Sequence, residues 1–304
     1  MTAVTAVSAR VDRLDGWLFV EGPAGRVRAM RLLLAAVIAL RVGLGPYRGL
    51  AGQPAALFRP VWFLSWLPHM PSLGVIVGLQ VAGVVAAVLA VLGWRERGAF
   101  LVAWTSLLVL AGLRASRGKV MHNDVPLLLV SFVIVLAPVG LRLLDRRRST
   151  AWGWPAQTAL AVVGGAYFLT GFQKVVASGP AWVLSDNLRN VMYTAAASGH
   201  GHAPSLALYV ADHPLAAHLV ALGTLVVELG GITIWFWPRV RPWFVLAVTV
   251  LHVGVFLTHG LDYWAWIATT AIVCIDWSEV ATRVVKWGQP SVRTAARVRV
   301  PRAR

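Results

Sequence analysis

Residues 72–93 read SLGVIVGLQVAGVVAAVLAVLG, a run without a single charged side chain. At 1.5 Å of rise per residue, a helix of this length reaches about 33 Å and crosses a hydrocarbon core about 30 Å thick. The same reading picks out seven more apolar runs, near residues 29–46, 98–113, 124–141, 155–176, 214–236, 242–258 and 261–277, of which 98–113 is short. Charged residues make up 13% of the chain. Soluble domains carry about 25%, and so few charges would not cover a water-facing surface of this size. The sequence therefore predicts an all-α, polytopic integral membrane bundle of about eight transmembrane helices. Residues 1–28 read as a cytoplasmic N-terminal segment, 29–277 as the transmembrane domain and 278–304 as a basic cytoplasmic tail.

Local punctuation supports these boundaries: Gly45-Pro46, Pro68 to Pro71, Arg95 to Arg97, Pro155, Pro214, Pro238 and Pro242 fall at the breaks. Most of the fifteen tryptophans, Trp62, Trp94, Trp152 and Trp243 among them, cluster near segment ends, where an interfacial belt places them. Trp104 sits inside a run and is expected to face other helices. With the N-terminus inside, the inner connections and tail hold nineteen Lys and Arg, against six outside: Arg48, Arg59, Arg114, Arg117, Lys119 and Arg189. That asymmetry predicts a multi-pass cell-membrane protein with both termini cytoplasmic.

The net charge of +16 resides in short flanking runs and the tail rather than on one soluble face, which argues against nucleic acid as a partner. The tail arginines Arg293, Arg297, Arg299, Arg302 and Arg304 are expected to stay disordered and close to anionic membrane lipid. The single cysteine, Cys274, excludes an intramolecular disulfide. The outer segment 177–213 predicts an interfacial helix opened by Ser185 and Asp186, with Leu188, Val191 and Met192 on one face.

An ionisable group at membrane depth is costly and needs a reason. Arg41, His122, Asp124, Lys174, Glu228, His252 and Asp262 qualify, and all but Glu228 fall in the outer half of the predicted topology. Lys174 is conspicuous in a chain with 25 arginines and 3 lysines. Unlike arginine, a desolvated lysine can release its proton and act as a base; the alternative is an amine that snorkels to the interface. Asn123 and Asp124, followed by Pro126, also read as a helix start. Glu228 and Arg41 read as a structural ion pair or as separate partners of bundle polar groups. Gly164, Gly165 and Gly171 read as close-packing positions. His200, His202 and His213 fit no common ligand spacing, so no metal is expected. Phosphate loops, dinucleotide fingerprints and hydrolase elbows are missing from the sequence.

The stretch Tyr167-Phe168-Leu169-Thr170-Gly171-Phe172-Gln173-Lys174-Val175, followed by Trp182, resembles the membrane domain of vitamin K-dependent gamma-carboxylases. The wider bacterial group is the horizontally transferred transmembrane (HTTM) family, which also includes a sporulation-delaying peptide maturation protein. His122-Asn123-Asp124 and Ala137-Pro138 look like a second shared block, with weaker likeness at Arg41, Glu228 and His252. The resemblance covers about residues 26–277. It implies a lipophilic quinol, reduced vitamin K or menaquinone, as the reacting molecule, at a site on the outer side. Lys174 would then be the catalytic base and His122 its assistant, with Asp124, Tyr167, Trp182, His252, Glu228 and Arg41 around the substrate. The carboxylases carry a long extramembranous region, whereas this sequence runs 27 residues past the last predicted helix. Quinol chemistry is thus expected without protein carboxylation. Two other functions compete: a non-catalytic bundle that binds a partner protein or peptide through 177–213, and a proton-coupled transporter using Glu228 and His252.

Overall fold

The computed structural model describes residues 19–118 and 122–288, together with Gly16. Lys119, the first half of the 1–28 segment and the tail arginines from Arg293 onward lie outside the described residues. Helices dominate; the one strand pairing among the described residues is a two-residue ladder of Gly22–Pro23 (β1) with Arg148–Ser149 (β2).

Helix α1 (Ala24–Leu44) is central and packs against α2 (Leu73–Leu92), α3 (Glu96–Ala115), α4 (Val125–Leu136) and α5 (Thr150–Ser178). Its two ends carry different cationic groups, and these orient its neighbours. At the first turns, Arg26 donates to the Val273 carbonyl at 3.0 Å and Arg28 to that of Val91 at 3.0 Å. Arg31, only 1% exposed, donates to Glu96 at 2.6 Å and to the carbonyls of Ile134, Ala137 and Pro138 at 3.0 Å each. One guanidinium thus satisfies carbonyls that α4 leaves open at its C-terminus, where positive charge is also favoured by the helix dipole. About 15 Å along α1, at ten residues of helical rise, Arg41 meets Asp124 and Asp262 just ahead of α4 and α12 (Trp264–Cys274). Both helices therefore run antiparallel to α1, as does α2, whose Gln80 donates to the Val42 carbonyl at 2.8 Å.

The remaining long helices continue this pattern. Helix α3 starts beside Arg31, and α5 starts where Gly153 abuts the backbone of Val20 and Gly22, so both run with α1. Helix α9 (Pro214–Gly230) returns against α5, Gly231 lying on Gly164 and Glu228 on Gly171. After a break and the short α10 (Thr233–Phe236), α11 (Arg241–His259) runs with α1 again. All eight apolar runs are thus helical at their centres, and their directions alternate.

Their lengths differ from the expectation. Among the described residues, four helices are long and apolar enough to cross a membrane: Leu73–Leu92, Glu96–Ala115, Thr150–Ser178 and Pro238–His259. The bent pair Pro204–Asp212 (α8) and α9, turning by 107°, makes up to five. The third segment is not short but a full 20 residues. The fourth stops at Leu136 because Pro138 disfavours helical backbone at the residue before it, and Ala137 is extended (φ −66°, ψ 155°). The eighth is 11 residues, delayed by the Gly260 turn at φ +67°. The first residues of the presumed tail are ordered, forming α13 (Trp277–Gly288); the Asp276 carboxylate accepts the Ser278 amide at 3.1 Å and so caps its start. In the 142–148 connection, Arg147 holds the Asp145 carboxyl below its usual range through a 2.6 Å bond.

The 177–213 segment is helical, as expected, and forms a cap: α6 (Ala181–Leu184), α7 (Asn187–Ser198) and α8. It has its own core, in which Met192, Ala207, Val210 and Ala211 meet Ala217 of α9. Leu188 packs against this core, whereas Val191 is 40% exposed and does not share the buried face. Ala203 N–H bonds the Leu257 carbonyl at 2.7 Å, tying the cap to the end of α11. Met192→Ala is expected to loosen the cap by about 2 kcal/mol, the lower range for emptying a buried methionine site. Proteolysis should then accelerate within 187–212 while cleavage of the main bundle stays unchanged.

Candidate functional site

Four residues of α5, Gly164, Tyr167, Gly171 and Lys174, recur at helical spacing and form one stripe facing α9. A Cβ on Gly164 would sit 2.7 Å from the Gly231 carbonyl oxygen, and one on Gly171 would sit 2.9 Å from Glu228 Cβ. The close approach of the two helices brings Lys174 to Glu228. Gly165, the third expected packing glycine, faces open space instead, because it lies off the stripe. Gly171→Leu is therefore expected to destabilise the protein by about 3 kcal/mol, the upper part of the overpacking range, while Gly165→Leu stays near neutral. Thermal unfolding in detergent compares the two; equal losses would refute the packing assignment.

Lys174 Nζ donates to Glu228 Oε1 and lies 4.9 Å from the ring centroid of Trp182. Gly179, at φ +56°, turns the chain so that α6 folds Trp182 back over the amine. Glu228 lies in the last turn of α9 at the level of Lys174, not apart from the other polar groups. Its Oε2 and the Trp182 indole N–H are buried with no hydrogen-bond partner among the described residues. Of the two arrangements open to Arg41 and Glu228, mutual pairing is not formed; each engages a separate partner, Glu228 with Lys174 and Arg41 with Asp124 and Asp262.

Arg41, 3% exposed, instead donates from Nε to Asp124 at 2.5 Å and from Nη1 to Asp262 at 2.5 Å. Asp124 therefore does not act as a side-chain helix cap; its carboxylate is turned to Arg41. Asn123 donates to the Asp262 carbonyl at 2.6 Å and so locks the approach to α12 onto the approach to α4.

Between these groups lies an aromatic and imidazole cluster. Tyr167 hydroxyl and His252 Nε2 are 2.9 Å apart, and the His252 ring stacks on Tyr263 at 4.9 Å. Tyr263 hydroxyl in turn meets His122 Nε2 at 2.8 Å, and the Trp266 indole donates to the His122 carbonyl at 3.0 Å. His252 Nδ1 is buried without a partner among the described residues. Tyr167, Lys174, Glu228 and Trp182 are brought together along α5 and α9; Arg41, Asp124, Asp262 and His122 gather around the starts of α4 and α12. Lys174 contacts Glu228 and Trp182, and His122 contacts Tyr263 and Trp266, so the two expected catalytic residues stand in adjoining groups.

Tyr263 and Trp266 are members of this cluster that sequence reasoning missed; their only signal was adjacency to Asp262 at helical spacing. Arg31 and Glu96 were also passed over, since arginines at a segment start read as topology signals. His202 stacks on Phe256 and His213 bonds the Tyr209 carbonyl, and among the described residues no three ligand-type side chains gather as a metal site would need. Searches against family models, curated proteins and solved structures find no match for this chain.

Proposed function

We propose that the chain is an eight-pass membrane protein, both termini cytoplasmic, that removes a hydroxyl proton from a lipophilic quinol near its outer face. The alternating directions of eight helices and the excess of basic residues on one side support the insertion. Exposed apolar side chains such as Leu92, Leu169, Phe172 and Val176 are what lipid contact calls for. The short helices α4 and α12 rise only about 18 and about 17 Å, and α12 keeps its irregular lead-in against protein, where membrane-depth backbone is tolerated.

One observation carries the chemistry: the Lys174–Glu228 pair beneath Trp182, with a carboxylate oxygen left over. In apolar surroundings a lysine–glutamate pair can hold its proton on either partner, because separated charges are poorly solvated there. With the proton on Glu228, the Lys174 amine is free to take the quinol hydroxyl proton. The quinolate then faces the new ammonium, so charge stays balanced. The HTTM resemblance of the surrounding motif supplies the quinol and the onward reaction, in which quinol and dioxygen yield quinone epoxide and water. His122, through Tyr263, stands at the neighbouring cluster and assists by stabilising developing charge.

The test is turnover of reduced menaquinone, with oxygen, by purified protein in lipid discs. Epoxide from the wild type and at least about a hundredfold less from Lys174→Ala is the expected result. A second reading, a non-catalytic bundle that binds a partner protein or peptide, is favoured by the separately cored cap with Leu184 and Tyr209 exposed. It predicts that deleting 183–200 abolishes partner capture. A proton-coupled transporter is less well supported, because Glu228 and His252 are engaged by Lys174 and Tyr167 rather than lining one path.

A further inference from the structure

A cleft of about 260 Å³ opens where α1 ends and α12 begins, lined by Leu40, Arg41, Leu44, Gly45, Asp262 and Trp264. Its wall is apolar and its floor is charged. Leu40 and Leu44 at its mouth are 50% and 80% exposed. Arg41 is only 3% exposed and directs three of its five N–H groups to Asp124 and Asp262, so it offers the cleft little donor capacity. Asp262 is different: its side chain is 38% exposed, and among the described residues Oδ1 receives only a long 3.4 Å bond from the Trp264 amide. The free hydrogen-bonding capacity in the cleft is thus that of an acceptor. Its geometry depends on Gly45, where a Cβ would strike the Tyr47 ring and sit 2.6 Å from the Arg41 carbonyl oxygen.

We propose that this cleft is a side port through which an outer-leaflet amphiphile with a hydroxyl or phenol head docks that head on Asp262. The volume is smaller than the ~300 Å³ at which drug-sized pockets begin, so it admits a ring-sized head and leaves the alkyl tail along Leu40 and Leu44. An anionic head is rejected by the Asp262 carboxylate, with Arg41 already neutralised. The inference rests on the membrane-spanning reading, and it names where a lipid-borne substrate enters that fold.

The experiment uses full-length protein in lipid discs with two photoreactive long-chain probes, an alkylphenol and the matched alkylbenzoate, and maps labelled peptides by mass spectrometry. The phenol is expected to label residues 40–46 and 262–264 about tenfold more than the benzoate, the effect of one hydrogen bond to a charged group. Leu44→Trp and, separately, Leu40→Trp should abolish that labelling, since they fill the mouth at exposed positions and leave Arg41 and Asp262 in place. Equal labelling by both probes, labelling indifferent to both tryptophans, or equal labelling by a short-chain water-soluble phenol would overturn the port. Protease accessibility of the 142–148 and 187–212 connections in the same discs reports bilayer insertion independently. Loss of the port is thereby distinguished from loss of the membrane reading.

Discussion

Arg41→Leu is expected to unfold the protein or lower its stability by about 3–5 kcal/mol, the loss found when one member of a buried ion pair is removed. The guanidinium bridges two carboxylates that belong to different helix starts, and without it Asp124 is left buried at 5% exposure beside Asp262. Two uncompensated like charges would then face each other in a poorly solvating interior. Arg41→Lys should recover only part of the loss, because an ammonium lacks the fork that reaches both partners. The double variant Arg41→Leu with Asp124→Leu should be closer to wild type than Arg41→Leu alone, since it removes a buried charge with its partner. Thermal unfolding in detergent measures all three together with Asp124→Leu alone, which closes the cycle. Additive losses in the double variant would show that the pair is not coupled.

The second large effect concerns activity. Lys174→Ala is expected to reduce epoxide formation from reduced menaquinone by about a hundredfold or more, the usual contribution of a positioned base. The variant also leaves Glu228 without either oxygen paired, so folding must be checked beside turnover. Glu228→Gln separates the two roles. The amide still accepts a hydrogen bond from the lysine and preserves packing against Gly171, but it cannot take the proton. Turnover should fall while the unfolding temperature holds. Trp182→Phe keeps an aromatic face over the amine and should lower turnover only a few-fold. Full activity in Lys174→Ala would remove the base assignment. No activity in well-folded wild type would move the function to partner binding through the cap.

Much of the fold was legible because hydropathy is a local property. A run such as 72–93 has no solvent-compatible face, and proline and glycine at its ends say where it must stop. The cap helix was legible from Ser185, Asp186 and the spacing of Leu188 and Met192, although Val191 proved to lie off the buried face. The α13 helix was not, since its apolar positions Val280, Val284 and Trp287 remain exposed and its basic residues read as tail. The polar residues deeper in the apolar runs were likewise legible, because an ionisable group there is anomalous, whereas Arg31 and Glu96 near run starts were not.

The pairing of these groups was not legible. Arg41 had two carboxylates in its own half of the predicted topology and a glutamate at mid-depth, and sequence spacing does not rank them. The crossing of α5 and α9 at Gly164–Gly231 and Gly171–Glu228 decided it, placing Glu228 under Lys174 and leaving Arg41 to Asp124 and Asp262. Sequence alone determined which segments are helical and apolar, and which charges sit among them. Only the tertiary structure decided which charges meet, because that depends on helix rotation and close approach. Those are set by small residues many positions away in the chain.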